Sequence, residues 1–453
     1  MSAEFEAARG FFQAGLKCFA AGEWEQAEVQ FRASLALLPG RASTLINLGA
    51  TLIKRGRPQD ALDLLEQALA VAPDDSEALA HQGLAHADLG QASQALACFD
   101  RVLARDPQQR AARTQRAHAL NRLQRYGEAL GEVDHLLAST PGDAALWLEH
   151  ARTLHRLERI GPALQSYQRA IDADAALAPA WSERGGLLKD LGRLAEAAAC
   201  FERALALGAD AELNAYYLAA VTGAQAPSAP PARYVEQLFD GYADQFDAHL
   251  QGQLHYQAPQ VLAQHLQGLE QERFRRALDL GCGTGLCGPL FAPWVDRLDG
   301  VDLSSAMLAK ARHGGHYGDL VQADLAAYLA ATDRSYDLVL ATDTFIYVGA
   351  LDAVYAGVRR VLEAGGVFCF SVELTDDDVD FVLRPSSRYA HSRRYVDALA
   401  QRHGFTVTSL HEQTLRRDQT RSVRGLYAYL SVPPMDAAHH AQPGSGRAGQ
   451  PTA

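Results

Sequence analysis

The hydrophobic and polar positions in the first half of the chain return on a fixed period. From Ala8 to about Ala211 the pattern recurs every 34 residues without an insertion. Ala27, Ala61, Ala95, Ala129, Ala163 and Ala197 share one position of six successive units. Four residues further on lie Phe31, Leu65, Phe99, Val133, Tyr167 and Phe201, while Gly15, Gly49, Gly83, Ala117, Ala151 and Gly185 hold a third register. A period of this length marks a repeat array. Within each unit the apolar spacing predicts two amphipathic helices, broken at Gly22, Gly56, Gly90 and Gly192. The small positions let helix backbones approach closely, and the aromatic or aliphatic residue fills the gap between them. Pro39, Pro73, Pro107 and Pro141 end second helices, because proline cannot donate the next hydrogen bond. Glu212 to Val221 is expected to cap the array, covering the last apolar face.

The period stops at Gly223–Ala232, a proline- and alanine-rich stretch expected to be a semi-extended linker between independently folded units. In residues 233–432 short apolar runs near 277–280, 298–302, 319–322, 336–341 and 367–373 alternate with helical spacing. That alternation predicts a parallel sheet with helices on both faces. Residues 405–410 and 425–430 read as strands, joined by the polar, basic stretch Arg416–Arg424 into a closing antiparallel pair. The expected architecture is an all-α repeat array over 8–222, then a doubly wound α/β domain. Residues 433–453, polar and rich in glycine and proline, are expected to be disordered.

Composition narrows the function. The 453-residue chain has a net charge of −12, which argues against general nucleic-acid binding. Six cysteines stand apart, without paired spacing or nearby histidines, so neither a disulfide framework nor a metal site is expected. No run reaches the ~20 apolar residues of a membrane span, and the acidic N-terminus lacks a signal-type apolar core; the expectation is a cytoplasmic protein.

The array resembles the tetratricopeptide repeat, as in Trp147…Ala151…Leu154…Ala163…Tyr167 and Trp181…Gly185…Gly192…Ala197…Phe201. The resemblance implies a concave surface lined by first helices, able to hold a peptide or partner protein. It would place Asn121, Arg122, Arg152, His155, Arg156 and Lys189 on or beside that surface, as a cationic stripe for an acidic peptide or as solvated helix faces. The family's clamp for C-terminal carboxylates is missing, since Phe12 and Leu16 occupy its first-repeat positions.

The chemistry centres on Leu278-Asp-Leu-Gly-Cys-Gly-Thr-Gly285, an apolar strand entering a loop with glycine at alternate positions. Such a loop brings a ligand against bare backbone at a helix N-terminus. Gly283-Thr-Gly285-Leu-Cys-Gly288 matches the dinucleotide fingerprint, with Asp302 near the expected distance. Asp279 through Gly285 also resembles the first motif of class I S-adenosylmethionine-dependent methyltransferases. Gly300-Val-Asp302-Leu-Ser304, Gln322-Ala-Asp324-Leu325, Tyr336–Thr342 and Leu362–Val372 resemble, in order, that family's following motifs. The whole is similar to bacterial methyltransferases that carry tetratricopeptide repeats, which implies methyl transfer to a small molecule or protein acceptor. The rivals are a nicotinamide-dependent oxidoreductase and a scaffold that binds S-adenosylmethionine without turnover.

The resemblance implies the cofactor contacts. Asp302 would take the ribose hydroxyls, Leu303 would cover the adenine, and Asp324 with the Leu325 N–H would meet its edge. Gly281, Cys282, Gly283 and Gly285 would flank the methionine portion, with Asp279 on its ammonium and Thr342 at the end of the fourth strand. The helix from Tyr234 through Tyr242 is similar to one that folds over the cofactor, so Tyr242 faces cofactor or substrate, or packs that helix. For the acceptor, Asp343, Tyr389 and His391 are the candidates, with His391 as base because its ordinary pKa lies near neutrality. Arg384 and Arg388 could hold an anionic group of the substrate. The other reading of Arg384–Ser392 is a helix entry capped by Ser392.

Overall fold

The computed structural model describes residues 3–242, 256–266, 273–418 and 421–434. The tail expected to be disordered lies, beyond Pro434, outside the described residues. The chain divides into two compact units between Leu187 and Leu188, inside the helix Ala178–Asp190.

The first unit is built of helical hairpins on the expected period. First helices Ala3–Ala20, Ala42–Lys54, Ser76–Asp88, Arg110–Arg122 and Ala144–Arg156 alternate with second helices Trp24–Leu37, Pro58–Val71, Ala92–Arg105, Tyr126–Ser139 and Ile160–Ala173. The small positions are required sterically: a Cβ on Gly15, Gly49 or Gly83 would come within 2.6 Å of Phe31, 2.9 Å of Leu65 or 2.7 Å of Phe99. Gly22, Gly56 and Gly90 make the hairpin turn with φ of 78°, 70° and 75°. In the next two units Gln124 and Glu158 adopt that left-handed turn, with φ of 59° and 57°. The turn is therefore set by hairpin packing and persists where glycine is absent.

Several residues of the expected concave stripe find partners within the array. Arg152 pairs with Glu149 and Glu183, Asn121 donates to Thr153 Oγ1 at 3.2 Å, and Arg122 donates to the Ala87 carbonyl at 2.6 Å. His155 is half-buried and Arg156 exposed.

The second unit contains the helices Leu194–Ala206 and Ala211–Thr222 and a nine-stranded sheet. Ala211–Thr222 is the expected capping helix. Strands β1 (Phe274–Leu280), β2 (Val295–Asp302), β3 (Leu320–Gln322), β4 (Tyr336–Ala341) and β5 (Leu362–Thr375) run parallel in the order β3-β2-β1-β4-β5. β6 (Phe381–Leu383) pairs antiparallel with β7 (Tyr389–Ser392), which extends the end of β5 in parallel. β8 (Thr406–Asp418) and β9 (Arg421–Ser431) form the closing antiparallel pair, with β9 against β5. The stretch Arg416–Arg424 is therefore mostly strand.

The expected linker lies packed on this unit. The Ala350 N–H donates to the Ser228 carbonyl at 2.8 Å, and a Cβ on Gly349 would meet the Pro227 and Ser228 carbonyls at 2.8 Å. Tyr216 and Ala220 of the capping helix share one apolar cluster with Leu383 and Tyr389.

Candidate functional site

The glycine loop leaves β1 at the carboxyl edge of the sheet, where parallel α/β folds place ligands. Gly281, Gly283 and Gly285 all have left-handed φ, at 70°, 53° and 91°. A side chain at Gly281 is also excluded by space, since its Cβ would lie 2.4 Å from Thr344 Cγ2. Thr344, which sequence reasoning did not single out, donates to the Leu280 carbonyl at 2.9 Å and so fixes the loop to the end of β4. Cys282 is buried, and its N–H donates to the Val301 carbonyl at 3.1 Å.

Two carboxylates, Asp279 and Asp302, adjoin the loop, and a third, Asp324, follows β3. Asp279 is fully buried; its Oδ2 accepts from the Tyr317 hydroxyl at 2.8 Å, while Oδ1 is buried without a hydrogen bond of ordinary geometry. Burial pushes its pKa up to about 7, with hydrogen bonds from the Tyr317 hydroxyl and the Cys287 thiol opposing and the Asp302 charge adding to the rise. Asp302 ends β2 and accepts from the N–H groups of Gly283 and Ser304, each at 2.9 Å, with its pKa also raised by burial. Asp324 is exposed and caps the helix Leu325–Ala331 by accepting from the Ala327 N–H at 2.9 Å. The helix-cap reading of Asp324 is thus observed, leaving one carboxylate oxygen toward solvent. Leu303 and Leu325 are half-buried beside Asp302 and Asp324.

The helix Ala232–Tyr242 crosses this edge. Its Asp240 accepts from Ser304 Oγ at 2.5 Å, and Phe239 meets Tyr347 edge-on with centroids 5.1 Å apart. Tyr242 ends the helix, and its side chain lies outside the described residues. A cavity of about 430 Å³ borders Thr284 and Gly285 of the loop together with Tyr256, Leu290, Lys310 and His316.

Beyond β4 the chain turns at Asp343 with φ of 54°, in the left-handed region, and its carboxylate meets Arg416. Arg416, from β8, is 1% exposed; its Nη1 donates to both oxygens of Asp343 at 2.7 Å and its Nη2 pairs with Glu373 of β5. Arg384 also donates to Glu373, at 2.9 Å. Half-buried Arg388 donates to the Tyr347 hydroxyl and lies beside Asp343 and Arg416. Thr342 meets Cys287 Sγ at 3.3 Å through its hydroxyl, and buried Tyr256 joins Thr342 near Asp343.

His391 and Tyr389 do not share this cluster. His391 is fully buried in β7, and its Nε2–H is shared by the Val348 and Gly349 carbonyls, both at 2.9 Å. Burial lowers its pKa to about 4, so it is neutral, and its Nδ1 is sealed from solvent without a partner. The expectation of a histidine base fails on access: the ring is held by backbone and stacked on Tyr395. Tyr389 is also fully buried, packed on Tyr216 and Phe381. Ser392 does cap the next helix, accepting from the Tyr395 N–H at 3.2 Å. Among the described residues no group of three or more histidines, cysteines or carboxylates could hold a metal, and no helix is long and apolar enough to cross a membrane.

Comparison with known proteins follows the same division. The tetratricopeptide-repeat family matches residues 8–74, 46–110, 81–144 and 178–208, and the methyltransferase-domain family matches 278–370. The biotin biosynthesis bifunctional protein BioCD of Bordetella avium is 30% identical over 30% of this chain and 29% of its own length. Trans-aconitate 2-methyltransferase of Paracidovorax citrulli is 33% identical over 21% of this chain and 37% of its own. A malonyl-[acyl-carrier protein] O-methyltransferase of Geobacter sulfurreducens is 32% identical over 31% of this chain and 53% of its own. The chain thus spans about a third to a half of the length of these relatives. It carries tetratricopeptide repeats followed by a methyltransferase domain with a mostly parallel sheet.

Proposed function

We propose that this chain transfers a methyl group from S-adenosylmethionine to an acceptor bound beyond β4 and β5, and that its repeats recruit a partner or protein substrate. The observation that carries the reading is the buried carboxylate of Asp279 beside the glycine loop, whose Oδ1 makes no hydrogen bond of ordinary geometry and has the weak thiol donor of Cys287 near the group, so that an ammonium would be a stronger partner. Asp302 retains free lone pairs toward the ribose side although both its oxygens already accept from backbone. Leu303 and Leu325 flank the adenine side, and the solvent-facing oxygen of Asp324 meets the adenine edge. The cofactor supplies an activated methyl group on a sulfonium, so the chain's work is alignment and exclusion of water. Thr344 fixes the loop, the helix Ala232–Tyr242 covers the edge through Asp240, and Thr342 with Asp343 forms the wall an acceptor meets. The antiparallel β9 beside β5 supports this reading against the dinucleotide one, and His391 serves structure.

The test is isothermal titration of the full-length protein. S-adenosylhomocysteine should bind with one site and NAD should not, and Asp302→Ala should abolish most of the affinity. Binding of NAD alone would remove the proposal.

A further inference from the structure

Tyr317 lies between the helix Ser305–Gly314 and β3, outside every motif of the sequence, yet the fold aims it at Asp279. Gly315 ends the helix in the left-handed region, with φ of 71°, and the Gly318 N–H donates to the Leu298 carbonyl of β2 at 2.7 Å. Between these two fixed points the Tyr317 ring turns in against the glycine loop. Three glycines on three elements leave the space for it. A Cβ would lie 3.1 Å from the ring at Gly285 of the loop, 3.1 Å at Gly288 where the next helix begins, and 2.9 Å at Gly300 of β2. Packing on three sides fixes the ring, and the hydroxyl at its far end donates to Asp279 Oδ2 at 2.8 Å.

The groups that face Asp279 act in opposite directions. Burial and the charge of Asp302 at the end of β2 favour the protonated carboxyl, whereas the Tyr317 hydroxyl and the Cys287 thiol favour the carboxylate. Cys287 itself, Cys282 of the loop and Cys369 of β5 are held protonated by burial and by the Asp279 charge. Tyr317 is held protonated in the same way, so it remains a donor. Of the two donors the hydroxyl is the stronger, since a thiol bonds weakly and this one also meets Thr342 Oγ1 at 3.3 Å. The two carboxylate oxygens therefore differ: Oδ2 is committed to Tyr317, and Oδ1 has no hydrogen bond of ordinary geometry.

Resting on the methyl-transfer reading, we propose that Tyr317 is a positioning residue for the cofactor: by holding Oδ2 it keeps Asp279 charged and leaves Oδ1 to meet the ammonium of S-adenosylmethionine. It acts through Asp279. A hydrogen bond to the ionised form offsets part of the cost of burying that charge before the ligand arrives.

The test is titration calorimetry of the full-length protein with S-adenosylhomocysteine from pH 5.5 to 9, comparing wild type with Tyr317→Phe, which keeps the packed ring. Loss of one hydrogen bond to a charged group should move the midpoint of the affinity profile up by about one pH unit. The variant should then bind ~10-fold more weakly than wild type at pH 6 and within about twofold of it at pH 9. Cys287→Ala should move the midpoint by less. On an Asp279→Asn background, Tyr317→Phe should leave the flattened profile unmoved. An unchanged midpoint in Tyr317→Phe, a loss of equal size at pH 6 and pH 9, or a shift that persists with Asp279→Asn each overturns the proposal. If wild type fails to bind S-adenosylhomocysteine at any pH, the cofactor reading itself is removed, and this proposal with it.

Discussion

Cofactor affinity should report the protonation of Asp279. The carboxyl group is fully buried, and its pKa of about 7 arises from loss of water around the charge. An ammonium on Oδ1 requires the ionised form. With that pKa the ionised fraction is roughly 0.76 at pH 7.5 and roughly 0.03 at pH 5.5, so the dissociation constant for S-adenosylhomocysteine should rise ~25-fold on acidification, ~1.9 kcal/mol. Near pH 6 binding should release close to one proton, seen by titration calorimetry in buffers of different ionisation enthalpy. Asp279→Asn keeps an acceptor for Tyr317 and removes the charge; it should lower affinity at pH 7.5 by about 1.5–3 kcal/mol and flatten the profile. Stability runs the opposite way. A carboxyl group whose folded pKa lies above its unfolded value favours the fold below about pH 4 and loses that contribution as pH rises through 7. The free Asp279→Asn protein should therefore melt higher than wild type at pH 8. Asp302, also raised by burial, is the control: Asp302→Asn should weaken binding and retain the steep pH profile. A flat wild-type profile, or an Asp279→Asn profile as steep as wild type, refutes the reasoning.

Other consequences are simpler to measure. His391→Gln should keep a donor toward the Val348 and Gly349 carbonyls and leave turnover within several-fold. Because the folded pKa of His391 is depressed to about 4, wild type should lose roughly 3 kcal/mol of stability as pH falls from 6.5 to 4, a loss that chemical denaturation should find absent in the variant. Tyr216→Phe removes the 2.7 Å bond to the Ser387 carbonyl and should cost about 1–2 kcal/mol in the same assay. Gln124→Gly and Glu158→Gly should each stabilise the repeats by about 0.5–1 kcal/mol by relieving left-handed φ, and a loss of stability in either would show side-chain contacts outweighing backbone strain.

The repeats were legible because a fixed period records helix packing directly: the residue that fills a gap and the small residue that makes room for it recur together. The turn at Gln124 and Glu158 was hidden, since neither residue announces a left-handed conformation. The parallel strands were legible as apolar runs, and so was the glycine loop, whose conformation depends on local backbone freedom. β6 and β7 were not, because Arg384–Ser392 reads as a polar loop until β5 and Phe381 cover it. Asp343 was found by its position after β4, but Arg416 was not. In sequence it is one more arginine in a basic stretch; only the register of β8 on β9, and of β9 on β5, brings it to Asp343 and Glu373. Charge pairing across 73 positions leaves no local trace.

The same long-range assembly explains why the compact unit begins at Leu188, well before the linker. Lys189 donates to the Pro385 carbonyl at 3.3 Å and lies over the Tyr217 ring. Tyr216 holds the Ser387 carbonyl at a residue with φ of 59°, and the next residue is Arg388. The linker carbonyl of Ser228 ties down Ala350, beside the Val348 and Gly349 carbonyls that hold His391. Three anchors thus converge on the β6–β7 turn, two from the end of the repeat-type helices and one from the linker acting through the loop after β4. A left-handed serine is strained on its own and persists where its surroundings over-determine it. The capping helix that covers the last apolar face of the array therefore has a second task, since it fixes the turn from which Arg388 reaches toward Asp343 and Arg416.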